Sequence, residues 1–220
     1  KAGCRVTYNT SQTCCGQPAL NSGDSGDARE IARKVIAAFE GFEAVVGPSG
    51  SCMGTLRQDY PALFADDPAW RARAEGLSAR SHELLSFLVD VLKVERVEAR
   101  FDGKVTYHDS CAGLREMGVK GQPRKLLASV KGLDLIEMEG TETCCGFGGT
   151  FCVKYPEIST KMVDDKIAHI VASGADTVLG GDLGCLLNIA GRIKRRDLPV
   201  RVIHTAELLA GMGAEPSIGE

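Results

Sequence analysis

The sequence predicts an α/β protein made of two pseudo-repeated Rossmann-like lobes, with parallel sheets and cysteines at the carboxyl ends of strands. Short apolar runs alternate with helical apolar stripes along the chain, which is typical of β-α-β units. The tetrapeptide Thr-Cys-Cys-Gly at 13–16 recurs at 143–146. In each half, a later apolar run ends in one more cysteine, Cys52 or Cys185.

The elements around the two Cys-Cys-Gly turns follow the same order. A strand is predicted before each turn, at residues 5–8 and 133–136, because both runs are rich in β-branched or large apolar residues. A helix is predicted after each turn, over about 25–40 and about 157–172, with apolar side chains at helical spacing and a glycine beyond its end.

The remaining predicted elements are also paired. A strand leads into Cys52 and another into Cys185, and a helix follows each of these cysteines. This order divides the chain into a first repeat at 1–93, a linker at 94–103 and a second repeat at 104–213. The paired strands lie within 44–52 and 177–185, and the helices after them lie near 53–63 and 184–195. One further helix is predicted in each half; the first carries Leu84, Leu85, Leu88 and Leu92, and the second carries Ala206, Leu208 and Leu209.

Composition excludes several classes of function. The 220 residues carry a net charge of −3 without a basic block, so we expect no nucleic-acid partner. An apolar run of 18 residues is absent, so we expect no membrane insertion. No secretory signal is visible and the nine cysteines are an odd number, which favours a reducing, cytoplasmic compartment and metal-binding or redox thiols over a disulfide framework.

Four cysteines of the second half are predicted to converge. Cys111 follows a predicted strand at 104–107, Cys144 lies 33 positions later, and Cys185 lies 40 positions after Cys145. The carboxyl ends of parallel strands meet at one edge of a sheet, where ligands bind. Four converging thiolates are the usual ligands of an iron–sulfur cluster, here expected to be of the 4Fe–4S type.

Zinc bound by four cysteines is the alternative metal. The adjacent pair Cys144-Cys145 argues against it, because successive side chains diverge and two neighbours do not easily reach one small ion. A cluster offers separate iron corners, and Gly16 and Gly146 allow the positive φ that aims amide N–H groups at sulfur. Of the other cysteines, Cys4 and Cys152 are expected to be structural thiols.

A second cluster is predicted in the first half, at Cys14, Cys15 and Cys52. The counterpart of Cys111 would fall near 14 − 33 = −19, so we expect a strand, a helix and a fourth cysteine before Lys1 in the natural protein. Cys4, at the start of the predicted strand, is a poor substitute. The first site is therefore expected not to close on its own, and air-exposed protein is expected to lose its clusters.

These motifs resemble the CCG cysteine-rich domain family, which also includes, more distantly, the cysteine-rich subunit of heterodisulfide reductase. Within that family the chain is most similar to the lactate-utilisation protein A type. The likeness covers essentially the whole chain and is carried by residues 13–19, 48–52, 107–111, 142–151 and 184–191. It implies an iron–sulfur electron-transfer subunit of an L-lactate-oxidising complex, with ferredoxin-like and other subunits as partners, and not a stand-alone catalyst.

Departures from the family pattern leave other functions open. Where heterodisulfide reductase repeats end in Cys-x-x-Cys, this chain has Ser49-x-x-Cys52 and Asp182-x-x-Cys185. A ferredoxin-type run of cysteines, present in the longer glycolate and glycerol-3-phosphate dehydrogenase subunits, is absent. The alternatives are a thiol/disulfide oxidoreductase of the heterodisulfide reductase type, an iron–sulfur subunit of a glycolate dehydrogenase, and a zinc-stabilised structural module.

Overall fold

A computed structural model describes residues 2–219 as alternating helices and strands. The strands are β1 (Val45–Gly47), β2 (Ser81–Glu83), β3 (Arg100–His108), β4 (Lys131–Leu135), β5 (Thr177–Gly180) and β6 (Arg201–His204). The helices of the first half are α1 (Gln17–Asn21), α2 (Ser25–Phe39), α3 (Gly50–Gly54), α4 (Tyr60–Leu63), α5 (Pro68–Ala79) and α6 (Leu84–Ser86). Those of the second half are α7 (Cys111–Arg115), α8 (Gly121–Leu127), α9 (Phe151–Lys154), α10 (Pro156–Ala172), α11 (Leu183–Arg195) and α12 (Thr205–Leu209). A π-helical turn at Thr55–Asp59 joins α3 to α4, and a second at Phe87–Val91 continues α6.

All paired strands are parallel, which confirms the predicted fold class. The second half holds a four-stranded sheet in the order β4-β3-β5-β6, and the first half a two-stranded sheet of β1 and β2. In the larger sheet His108 at the end of β3 is level with Gly180 of β5, and Gly180 is level with His204 of β6. The carboxyl ends of three strands therefore form one edge, which carries the site.

Among residues 2–219, three apolar clusters form the core, and two of them draw on both halves of the chain. Val35, Ile36 and Phe64 anchor the cluster of the first half, which Met117 and Val119 complete from the second. Leu85 of the first half packs in the cluster that lies around β3. The third cluster, between α10, α11 and the sheet, includes the buried Cys145 and Cys185. The two halves thus share cores, and the division into two repeats stays a prediction.

Two sequence expectations need correction. Residues 5–8 were predicted to form a strand, but they are irregular, and Val6 and Tyr8 are 85% and 73% exposed. A strand is stable only beside a partner, and residues 5–8 have no partner strand within 2–219. The strand predicted at 104–107 begins at Arg100, inside the range 94–103 that was predicted to be a linker.

Within 2–219, no helix combines the length and apolarity that crossing a bilayer requires.

Candidate metal centre

The four cysteines of the second half lie together at the carboxyl edge of the larger sheet. Neighbouring thiols lie close enough to affect one another's pKa in a continuous series, from Cys111 to Cys144, from Cys144 to Cys145 and from Cys145 to Cys185. All nine cysteines of the chain are free thiols. The geometry therefore brings together the set that the sequence proposed; that this set binds a cluster stays a prediction.

Helix capping places two of these cysteines. Cys111 is the first residue of α7, whose start is fixed by Ser110, because the Ser110 hydroxyl accepts a hydrogen bond from the Gly113 amide at 3.2 Å. Cys185 lies in the first turn of α11, where the Asp182 carboxylate accepts a hydrogen bond from the Gly184 amide at 3.2 Å. Each thiol therefore starts from a defined backbone position at the end of a strand.

The two Cys-Cys-Gly turns have the same local geometry. Gly16 and Gly146 both have positive φ, 84° and 81°, a conformation that glycine adopts without strain. In each turn the glycine amide donates to the sulfur of the first cysteine, at 3.5 Å to Cys14 and 3.4 Å to Cys144. Amide donors aimed at sulfur stabilise thiolates, whether free or bound to metal.

Side chains from neighbouring helices hold the carbonyl of the second cysteine in each turn. The Asn188 amide of α11 donates to the Cys145 carbonyl at 2.9 Å, and the Tyr60 hydroxyl of α4 donates to the Cys15 carbonyl at 2.7 Å. The Ser159 hydroxyl of α10 donates to the Gly146 carbonyl at 2.8 Å. These bonds fix both turns against the helices that pack below them.

The thiols of the second half differ in their readiness to ionise. Hydrogen bonds from Cys111 and Cys145, with a smaller contribution from the Gly146 amide, lower the pKa of the Cys144 thiol far below its ordinary value. Donation to Cys144, followed by burial, raises the pKa of the Cys111 thiol. Donation to Cys144, interaction with Cys185 and burial raise the pKa of Cys145. The Gly146 amide, which donates to Cys144, is a backbone contribution that favours a thiolate in this row of sulfurs.

His108 lies beside the same thiols. One of its ring nitrogens and the sulfurs of Cys145 and Cys185 all lie within 4.8 Å of one another. The side chain is 1% exposed. Burial first, and then the charge of Lys166, lower the pKa of His108 to about 3, so the imidazole is neutral.

A buried cation also faces this edge. Lys166 of α10 is completely buried, and its ammonium donates to the carbonyls of Gly140 at 2.7 Å and Thr141 at 3.1 Å. Burial lowers the pKa of Lys166 to about 8, while the charges of Cys145 and other groups at the edge oppose that shift. Lys166 is thus held where positive charge favours thiolates.

The three cysteines of the first half only partly come together. Cys15 is buried, and interaction with its thiol lowers the pKa of the Cys52 thiol to about 6. Cys14 is exposed beside them and interacts electrostatically with Cys15. Cys4, expected to be a structural thiol, is exposed, and Cys152 is half-buried with its thiol 3.5 Å from the Gly149 carbonyl.

A cleft of about 400 Å³ opens onto the second-half thiols. Its lining includes Cys111, Cys144, Cys145 and Cys185, together with aromatic and glycine residues of the segment 147–155. Ser51 and Gln17 of the first half also line it. The cleft therefore lies where the two halves meet, next to both Cys-Cys-Gly turns.

Sequence reasoning missed Lys166 and the bridging role of Asp182. Lys166 occupies a position of the α10 apolar stripe, between Val163 and Ile170, and a charged residue on a buried face was the available signal. Asp182 accepts hydrogen bonds at one carboxylate oxygen from the Ser49 hydroxyl at 3.1 Å and the Ser51 amide at 2.9 Å. No sequence signal predicts these bonds, because their partners lie more than 130 positions away.

The paired turns and the row of thiols define a cysteine-rich domain protein. The family model of the CCG cysteine-rich domain matches residues 1–57 and 105–190, which include both turns. The chain belongs to this family.

Three similar proteins share a name. The chain is 49% identical over 209 residues to lactate utilization protein A of Exiguobacterium sp. (strain ATCC BAA-1283 / AT1b), with 94% of this chain and 85% of the relative covered. It is 51% identical to the protein of that name from Geobacillus kaustophilus (strain HTA426), with 95% and 87% covered. The relative from Bacillus velezensis (strain DSM 23117 / BGSC 10A6 / LMG 26770 / FZB42) is 50% identical with the same coverage.

Proposed function

We propose that this chain is an iron–sulfur electron-transfer subunit that serves the oxidation of L-lactate. The observation that carries the proposal is the continuous series of neighbouring thiols from Cys111 through Cys144 and Cys145 to Cys185. Four thiols at one sheet edge form the donor set of a 4Fe–4S cluster. A cluster bound there would supply one-electron oxidation and reduction.

The residues around the thiols suit such a group. Amide donation to Cys144, together with the nearby charge of Lys166, favours the thiolates that iron requires. Cys145 and Cys185 are 2% and 6% exposed and Cys111 is half-buried, while all four thiols line the cleft. The thiols are therefore largely shielded from water but reachable through the cleft, as an electron carrier that meets partners requires.

The first half supports a second cluster at Cys14, Cys15 and Cys52. These thiols repeat the turn, the amide bond to sulfur and the capped helix of the second half. Three thiols leave one ligand to be supplied from elsewhere. We infer that Cys14 and Cys52, which are exposed, lie where a further segment or a partner subunit completes the site.

The substrate and the partners rest on the relatives. Proteins named lactate utilization protein A cover almost the whole chain at about half identity. We propose that the chain acts in the cytoplasm, that it receives electrons from a lactate-oxidising partner, and that ferredoxin-like subunits belong to the same complex. Lactate oxidation itself is expected to need those partners.

The test is a redox titration of anaerobically purified protein followed by EPR. The expected result is a signal that appears on reduction and disappears on re-oxidation, without loss of iron, together with no L-lactate turnover by the isolated chain. One zinc per chain without sulfide would replace the proposal with a structural metal site. Metal-free protein that exchanges disulfides through Cys144 and Cys145 would replace it with a thiol oxidoreductase.

A further inference from the structure

His108 is a buried imidazole whose two ring nitrogens lack a protein hydrogen-bond partner anywhere in 2–219. It ends β3, one residue before the buried Asp109, and is 1% exposed. A buried polar group without a partner destabilises the folded state, because it has given up its hydrogen bonds to water. Such groups are rare in native proteins, and one explanation is an ion bound at the site.

The polar groups next to His108 are engaged with other partners. Asp109 forms a bidentate ion pair with Arg124, with both N–O distances at 2.8 Å. The Thr106 hydroxyl accepts a hydrogen bond from the Met138 amide at 3.1 Å, and Lys166 donates to two carbonyls. His108 is thus the member of this polar group that the surrounding side chains leave unsatisfied.

The thiols are near the imidazole but do not hydrogen bond to it. A ring nitrogen lies within 4.8 Å of the sulfurs of both Cys145 and Cys185, yet neither sulfur is a hydrogen-bond partner. Three donor atoms at that spacing surround a common point, as ligands of one metal centre do. One of the two unsatisfied ring nitrogens therefore lies next to the thiols of the site.

We propose that an imidazole nitrogen of His108 is a ligand of iron in the second-half cluster, so that its donor set is mixed cysteine and histidine. This inference rests on the proposed iron–sulfur function. Imidazole is an accepted ligand of iron–sulfur centres, and it raises their potential relative to thiolate. A cubane cluster has four iron corners, so His108 and three of the four thiols would fill them, and the remaining thiol would make a supporting contact in place of the all-cysteine set.

The direct test uses protein whose histidines carry ¹⁵N, purified anaerobically and reduced. The expected result is a strong nitrogen coupling in the pulsed EPR spectrum that changes between ¹⁴N-histidine and ¹⁵N-histidine samples. The His108→Phe variant is expected to lose that coupling. His82→Gln, which removes an imidazole from β2, is the matched control and is expected to keep it.

A second variant tests the ligand without depending on the fit of a phenyl ring. In His108→Cys a thiolate replaces the imidazole, so the protein is expected to keep its iron and to show a lower midpoint potential. Wild-type protein with full iron and sulfide but no histidine coupling would overturn the ligand assignment and leave the proposed function standing. Wild-type protein without iron or sulfide would overturn both.

Discussion

The Ser49 hydroxyl donates a hydrogen bond to the Asp182 carboxylate at 3.1 Å, across 133 positions of sequence. Each of these residues caps a helix that carries a candidate ligand, since Ser49 begins α3 with Cys52 and Asp182 begins α11 with Cys185. Asp182 is 3% exposed. One carboxylate therefore sets the positions of both helices, and the two thiol sites are mechanically linked.

Removing that carboxylate is expected to destabilise the protein. Asp182→Ala loses the cap of α11 and leaves the Ser49 hydroxyl and the Ser51 amide without their acceptor, so we expect a loss of about 3 kcal/mol. Asp182→Asn keeps an oxygen for the cap and is expected to lose about 1 kcal/mol. Denaturant unfolding measures both. Asp182→Asn without any loss would show that the bridge to Ser49 and Ser51 contributes nothing, and equal losses in the two variants would show that the cap of α11 contributes nothing.

The turn at Gly146 is expected to tolerate no side chain. With φ at 81°, alanine there is strained, and its Cβ would lie 2.7 Å from the Ser159 carbonyl oxygen. Gly174, after α10, also has a positive φ, 71°, but a Cβ added there would have no atom within 4 Å. Gly174→Ala therefore measures the backbone strain alone, without a steric clash. We expect Gly174→Ala to lose about 1–2 kcal/mol and Gly146→Ala clearly more. Similar losses in unfolding free energy would contradict the close approach to α10.

The repeated pattern of apolar runs and cysteines was sufficient to predict the main helices, the parallel strands and the grouping of four thiols at one edge. It could not predict β2, because Ser81, His82 and Glu83 carry no apolar signal, or β6, because its two apolar residues stand between Arg201 and His204. The error at residues 5–8 has a different origin, because Val6 and Tyr8 favour a strand locally but only tertiary structure supplies a partner. Asp182 and Lys166 act through contacts distant in sequence, which no local pattern reveals.

The ion pair between Arg124 and Asp109 is expected to stabilise the site edge. The Asp109 side chain has no exposed surface, and Arg124 also binds Glu137. Arg124→Met leaves the buried carboxylate unpaired, which costs about 3–5 kcal/mol. Arg100→Met removes an exposed pair with Asp102 and is expected to cost less than about 1 kcal/mol. An equally small loss in thermal or denaturant unfolding of Arg124→Met would contradict the buried pairing.

The charge of Lys166 is expected to raise the reduction potential of a cluster held by the second-half thiols. Lys166→Met removes a buried positive charge that interacts with Cys145, so reduction becomes less favourable by an amount on the order of tens of millivolts. Lys161→Met on the same helix removes an exposed charge paired with Asp165 and is the control. EPR-monitored titration gives both potentials, and an unchanged value for Lys166→Met would refute the electrostatic role.

The most direct test of the account is the iron and acid-labile sulfide content of the chain and of two cysteine variants, all purified without oxygen. We predict near-stoichiometric iron and sulfide in the wild-type protein, loss of that iron in Cys185→Ser, and wild-type content in Cys152→Ser, whose thiol lies outside the series. Equal iron in both variants, or a wild-type chain that binds zinc or no metal, would contradict the assignment of an iron–sulfur site to these thiols.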